Sequence, residues 1–198
     1  FKEYPLAEIA EYIDWTPFFH SWELKGSYPK ILSHPEIGTE ATKLFNDAQG
    51  MLKQIISEKW LQANAVVGIY PANAVNEDDV ELYDEKGTPL CTFHSIRQQT
   101  KKPAGQYNIA LADFVKPKNG LVSSETHDYL GAFALTTGIG IDERVKQFEK
   151  DHDDYKAILL KALADRLAEA FAELLHKKVR RELWGYAKNE SLSNEDLI

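Results

Sequence analysis

The chain has 198 residues, 43% of them hydrophobic and 27% charged, which is enough for one ordinary globular domain with its own core. Acidic residues outnumber basic ones by 31 to 23, a formal net charge of -8, and this disfavours a broad phosphate-binding surface and so nucleic acid as a partner. Cys91 is the only cysteine, which fits a reducing, cytoplasmic setting; the start Phe1-Lys2-Glu3-Tyr4 is unlike a secretory leader, and no apolar run reaches the roughly 18 residues of a membrane span.

Pro5 can open a short helix in which Leu6, Ile9 and Ile13 recur at helical spacing, ending near Tyr12 or Ile13. The segment Asp14 to Trp22 is rich in aromatics and interrupted by Pro17, so it reads as a loop or a broken helix before the turn Lys25-Gly26-Ser27. From Gly38, the spacing of Ala41, Leu44, Phe45, Ala48, Leu52, Ile55, Ile56 and Trp60 predicts an amphipathic helix of about five or six turns. Residues 65–70 and 80–83 are strand-like. Residues 90–96 follow the turn at Glu85-Lys86-Gly87-Thr88-Pro89 and form a hairpin with the strand before it. Two more apolar runs, 109–115 and 129–135, flank the polar stretch 116–128 and bring the expected strands to five.

The last third is helical. Tyr155, Ile158, Leu159, Ala162, Leu163, Leu167, Phe171, Leu174 and Leu175 hold one stripe among good helix formers. Gly185 is a stop, and Ser191-Leu192-Ser193-Asn194-Glu195 has the form of a cap opening one more helix. Because the sequence halts at Ile198 just after that start, a C-terminally truncated domain is expected. The order helix, strands, helix repeats no βαβ unit, so the predicted fold is α+β, a largely antiparallel sheet with long flanking helices.

Chemical motifs are few. Six scattered histidines form no metal-binding pair, so no metal site is expected. Gly138-Ile139-Gly140 lacks the third glycine of a dinucleotide loop and reads as a strand-to-helix turn. P-loop and esterase signatures are missing, and no catalytic residue is assigned. His152-Asp153-Asp154-Tyr155 is best explained as a helix cap, with a metal-binding Asp-His group as the alternative. Asp165, Glu169 and Glu173 form an acidic row at helical spacing with Arg166 and Lys161 nearby, ordinarily a solvated face; within a cleft, Glu169 could bind a cationic or hydroxylated ligand. Asp14 stands before Trp15, Phe18, Phe19, Trp22 and Tyr28. It is either a turn or helix-terminating aspartate, or a carboxylate on an aromatic-lined cleft that suits an ammonium or sulfonium group. Arg97-Gln98-Gln99 is either a carboxylate-binding group or a cluster at a sheet edge.

Taken together, Tyr12-Ile13-Asp14-Trp15-Thr16-Pro17-Phe18-Phe19, Val67-Gly68-Ile69-Tyr70-Pro71-Ala72-Asn73, Arg97-Gln98-Gln99, Leu111-Ala112-Asp113-Phe114-Val115, His152-Asp153-Asp154-Tyr155, residues 161–171 and Trp184-Gly185-Tyr186-Ala187 closely resemble, in order, the activation domain of cobalamin-dependent methionine synthase. The resemblance runs from about Leu6 to Ile198. It implies a C-shaped α+β domain with a bent antiparallel sheet. It also implies binding of S-adenosylmethionine, so that cob(II)alamin, reduced by a flavodoxin-type electron donor, is remethylated. Cobalamin itself is carried by the cobalamin-binding domain of the same enzyme, and this domain's task is positioning. Asp14 matches the family's aspartate that contacts S-adenosylmethionine, and Glu169 matches a second acidic position near the ligand. An Arg-Pro-x-x-Gly-Tyr stretch that supplies much of the family's binding falls beyond the point matching Ile198. The alternative is a stand-alone interaction module that docks on a cobalamin protein without binding S-adenosylmethionine.

Overall fold

A computed structural model describes residues 1–118 and 127–192. The chain divides into two units, one of Phe1–Val66 with Ala134–Ile198 and one of Val67–Phe133. Its longest element, the helix α5 (Asp154–Lys178), is built from Leu, Ala, Lys and Glu with a single β-branched residue, Ile158, so propensity and pattern agree. Leu160, Leu163, Ala164, Leu167, Ala170, Phe171 and Leu174 recur every three or four residues and are buried, so one face lies in the core of the first unit. The helix starts at Asp153, whose side chain accepts from the Lys156 N–H at 3.1 Å, so the acidic run there is a cap. A single wide turn at Val179–Leu183 ends it ahead of Gly185, whose φ of 76° is left-handed.

Four helices pack against α5: α1 (Leu6–Ala10), α2 (Trp15–Ser21), α3 (Gly38–Ser57) and α4 (Ile141–Lys150). In α3 the residues Ala41, Leu44, Ala48, Met51, Leu52 and Ile55 are buried as their spacing predicts, while Trp60 lies beyond the helix end. The segment read as a loop or broken helix is α2. Asp14 caps it, and Pro17 falls in its first turn, where backbone N–H groups have no intrahelical acceptor, so proline costs no ladder bond. Trp15, Phe18 and Phe19 are buried rather than lining a cleft. Trp15 meets Phe18 and Phe45 edge-on with ring centres 5.4 and 5.0 Å apart.

The strands β1 (Gln62–Ala74), β2 (Asp79–Tyr83), β3 (Pro89–His94) and β4 (Asp128–Ile139) form a four-stranded sheet in the order β3-β2-β1-β4. β1 pairs antiparallel with β2, Ala72 opposite Leu82, and β2 with β3, Val80 opposite Phe93, the hairpin expected around Gly87. Pro71 is tolerated inside β1 because the β2 pairing runs from Ala72 to Ala74 and requires no N–H from it. In the second unit Ala72, Ala74, Val80 and Ala112 form a small core with Leu82, Val115 and Leu130 against it.

One expected strand is absent from the described residues. Ile109 to Val115 contains a 3-10 turn at Leu111–Phe114, closed by the Asp113 carboxylate, which accepts from the Ala110 N–H at 2.9 Å and turns Leu111 and Phe114 out to solvent. The helix expected after Ser191 and most of the stretch 116–128 lie outside the described residues.

Gly138-Ile139-Gly140 is the strand-to-helix turn the sequence predicts, with Gly140 at φ 95° ahead of α4. A Cβ there would lie 2.9 Å from the Trp60 carbonyl oxygen, so conformation and space both require glycine. Gly140→Ala is expected to destabilise the protein by about 1–3 kcal/mol, measured as a lower denaturant midpoint with unchanged m-value.

Candidate ligand-binding site

Asp14 follows the buried Ile13 and precedes the buried Trp15, which fixes the backbone between two core anchors and leaves the carboxylate at the surface. Its Oδ1 accepts from the Thr16 N–H at 2.8 Å, and its second oxygen takes no hydrogen bond from a described residue. One oxygen caps α2 while the other stays available.

Because the stripe around Leu163, Leu167, Ala170 and Leu174 faces the core, Arg166, Glu169 and Glu173 fall at the polar edge of α5, three and four residues apart. The Arg166 side chain is only 11% accessible, against 61% for Glu169 and 67% for Asp165. Its guanidinium donates to both Glu169 oxygens, at 2.8 and 2.9 Å, and to Asp165 Oδ2 at 2.6 Å. Burial opposes its charge, but the two carboxylates outweigh that and hold its pKa above the ordinary value.

Glu173 differs. Its carboxyl is pushed above the ordinary range, first by burial and then by the negative charges of Asp14 and Glu169. The charges of Asp14, at the start of α2, and of Glu169, on α5, both act on Glu173. Close by in sequence, Lys177 donates to Tyr12 Oη at 3.2 Å and lies 5.3 Å from the Tyr12 ring centre, tying the end of α1 to α5. The sequence reading placed Arg166 and Glu173 on a solvated face; the signal it passed over was an arginine at the boundary between the apolar stripe and the acidic row.

The other candidate group is structural. In the second unit all five Arg97 N–H donors are engaged, by Asp78 Oδ1 at 2.9 Å, Asp113 at 2.7 and 2.8 Å, and the carbonyls of Asn108 and Glu77 at 2.8 and 2.6 Å. The Arg97 guanidinium and the Ala110 N–H hold the Asp113 carboxyl down at about 2. Arg97 clamps the β1–β2 connection to the segment 108–113, with no donor left for a ligand carboxylate. Among the described residues no group of three or more His, Cys, Asp or Glu side chains could hold a metal ion, and no helix is long and apolar enough to cross a membrane.

A family model described as vitamin B12 dependent methionine synthase, activation domain, matches residues 5–198. A crystal structure of the MetH reactivation domain bound to AdoHcy (S-adenosylhomocysteine) is 49% identical in sequence and superimposes with a TM-score of 0.90. The match covers 100% of this chain and 59% of the solved one, so the chain spans about three-fifths of that length. The α+β fold read from the sequence agrees with it.

The raised Glu173 pKa sets a pH dependence. A carboxyl whose folded pKa lies above its unfolded value imposes no cost below about pH 4.3, and the cost grows as pH rises through the unfolded and then the folded value. Glu173→Gln should therefore raise the thermal midpoint at pH 7 and leave it unchanged near pH 3.5, as calorimetric scans at the two pH values would show.

Proposed function

The chain belongs to the vitamin B12-dependent methionine synthase activation-domain family, and from that premise we propose that it binds S-adenosylmethionine through Asp14 and Glu169 to support reductive remethylation of cob(II)alamin. The observation that supports this reading is the match to a domain, 49% identical, that was solved with S-adenosylhomocysteine, together with an Asp14 carboxylate that has one oxygen beyond its capping bond.

Cobalamin, held by the cobalamin-binding domain of the same enzyme, supplies the methyl acceptor, and a flavodoxin-type donor supplies the electron. What this chain supplies is position. Asp14 faces the ligand with the oxygen left over from capping and is the partner of its ammonium group, since a carboxylate accepts a charge-assisted hydrogen bond there. Glu169, held by Arg166, presents a fixed pair of acceptor atoms. A protein nucleophile is not required, because the methyl group passes to the cobalamin and not through a side chain. The isolated chain is accordingly a binding domain and not a catalyst, working in the cytoplasm as one part of a methyltransferase of methionine biosynthesis. Arg166 and Arg97 are both committed to carboxylates of the fold, so neither binds the ligand's carboxylate.

Calorimetric titration of S-adenosylmethionine into the full-length protein tests the proposal. Asp14→Asn keeps a residue that caps helices as well as aspartate does, so α2 should be retained while the charge is lost. Removing a charged hydrogen-bond partner is worth about 1.5–3 kcal/mol, so affinity should fall roughly 10- to 100-fold. Unchanged affinity would take Asp14 out of the site. No binding by the parent protein would reject the reading and leave a module that docks on a cobalamin protein without the methyl donor.

A further inference from the structure

A second cleft of the first unit lies away from the acidic edge of α5. Trp22 and Leu24, after the end of α2, face Glu40, Lys43, Leu44 and Asp47 of α3 across about 270 Å3, and Tyr155 of α5 closes one side. Positions 40, 43, 44 and 47 are three or four residues apart, so α3 turns all four to one side. Tyr155 comes ten residues before Asp165, about 15 Å along the helix, so this cleft is separate from the site at Asp14 and Glu169.

Its polar groups are only partly matched to one another. Tyr155 Oη donates to Asp47 Oδ2 at 2.8 Å, and burial and then that bond push the phenol up to about 12, so it stays a donor and fixes the carboxylate. Asp47 Oδ1 takes no hydrogen bond from a described residue. Glu40 and Lys43 have no hydrogen-bond or ion-pair partner among the described residues, although pairing is ordinary at their spacing. Trp22 meets Tyr155 edge-on with ring centres 5.4 Å apart, and its indole N–H, closed to water, has no acceptor among the described residues. A donor left in that state is destabilising.

We propose that this cleft is a second binding site, for a small α-amino acid with an apolar side chain. Two donors, the Lys43 ammonium and the Trp22 indole, suit a carboxylate; two acceptors, Asp47 Oδ1 and Glu40, suit an ammonium. Leu24, Leu44 and the two rings take the apolar side chain. The volume is below the roughly 300 Å3 at which sites for drug-sized molecules begin, so the occupant is small. An amine alone would leave both donors unanswered, and an acid alone both acceptors. The Trp22 ring has to turn its N–H edge to the cleft as the carboxylate enters, and the ligand then satisfies a donor that the fold leaves unpaired.

Calorimetric titration of L-leucine into the full-length protein tests this, beside 3-methylbutylamine, which lacks the carboxylate, and 4-methylpentanoate, which lacks the ammonium. Lys43→Met should weaken leucine roughly 10- to 100-fold, the value of a charge-assisted hydrogen bond, and leave the amine unchanged. Asp47→Asn should weaken leucine by a similar factor and leave the acid unchanged, since the amide keeps an acceptor for Tyr155. With 5-fluorotryptophan incorporated, the Trp22 fluorine resonance, identified by its loss in Trp22→Phe, should shift as leucine is added, which separates this cleft from any other amino-acid site. Lys43 is exposed, so its substitution carries the test even if the thermal midpoint shows Asp47→Asn to be unfolded. An unmoved Trp22 resonance, or leucine binding indifferent to Lys43→Met, would overturn the proposal. So would equal losses for leucine and the analogues that carry one charge.

Discussion

Burial of one face of α5 is the constraint on which the first unit depends. Ten of its side chains are buried, from Ala157 to Leu175, and removing that much apolar surface from water outweighs any preference the polar residues have for a particular orientation. With the stripe turned inward, the rotation of the helix is set. Arg166, Glu169 and Glu173 then have only its outer edge to occupy. α2 lies against the same helix, held by Phe18 and Phe19, which are fully buried. Its first residues therefore lie where Asp14 adds its charge to that edge. The acidic character of that edge follows from apolar packing.

Charge is handled in two different ways. Arg97 in the second unit and Arg166 in the first are both forked onto carboxylates, but Arg97 spends every donor on groups of the β1–β2 connection and of the segment 108–113, while Arg166 holds two carboxylates that are themselves open to solvent. The first arrangement stabilises a long irregular segment that has few backbone ladder bonds of its own. The second leaves negative groups fixed in place at a surface. The Glu173 carboxyl is raised by burial and by the charges of Asp14 and Glu169, and perturbed carboxyls of this kind collect at functional sites.

The long helices were legible in the sequence because each has a single buried face, so a period near 3.6 survives in the pattern of α3 and α5. The β2–β3 hairpin was legible from its turn, and the helix-capping role of Asp153 from its place before an apolar run. The run 109–115 was misread because apolar content was taken for strand. What decides it is Asp113, which bonds the Ala110 N–H and takes the fork of an arginine far off in the chain. α2 was underestimated because a proline in the first turn resembles a proline in the middle. Asp14 and Glu169 were readable as candidate ligand contacts from their neighbours, each beside an ordinary structural reading, and the family resemblance favoured the ligand role. The Arg166–Glu169 pair was readable from spacing alone, whereas the charge coupling between Asp14 and Glu173 depends on how α2 crosses α5, and no local pattern encodes that.

The cap at Asp14 has a consequence for what sequence drift can reach. One oxygen of this side chain starts a helix, and the proposal gives the other to a ligand cation. Asn, Ser or Thr would preserve the helix start and forfeit the charge; Glu would preserve the charge but is not among the residues favoured at a helix start. No stepwise path of tolerated replacements leads away from aspartate while both roles last. Among natural variants of this chain, the residue at position 14 should therefore report which role has lapsed: a small polar residue where the ligand has been given up, and any other where α2 has found another way to begin.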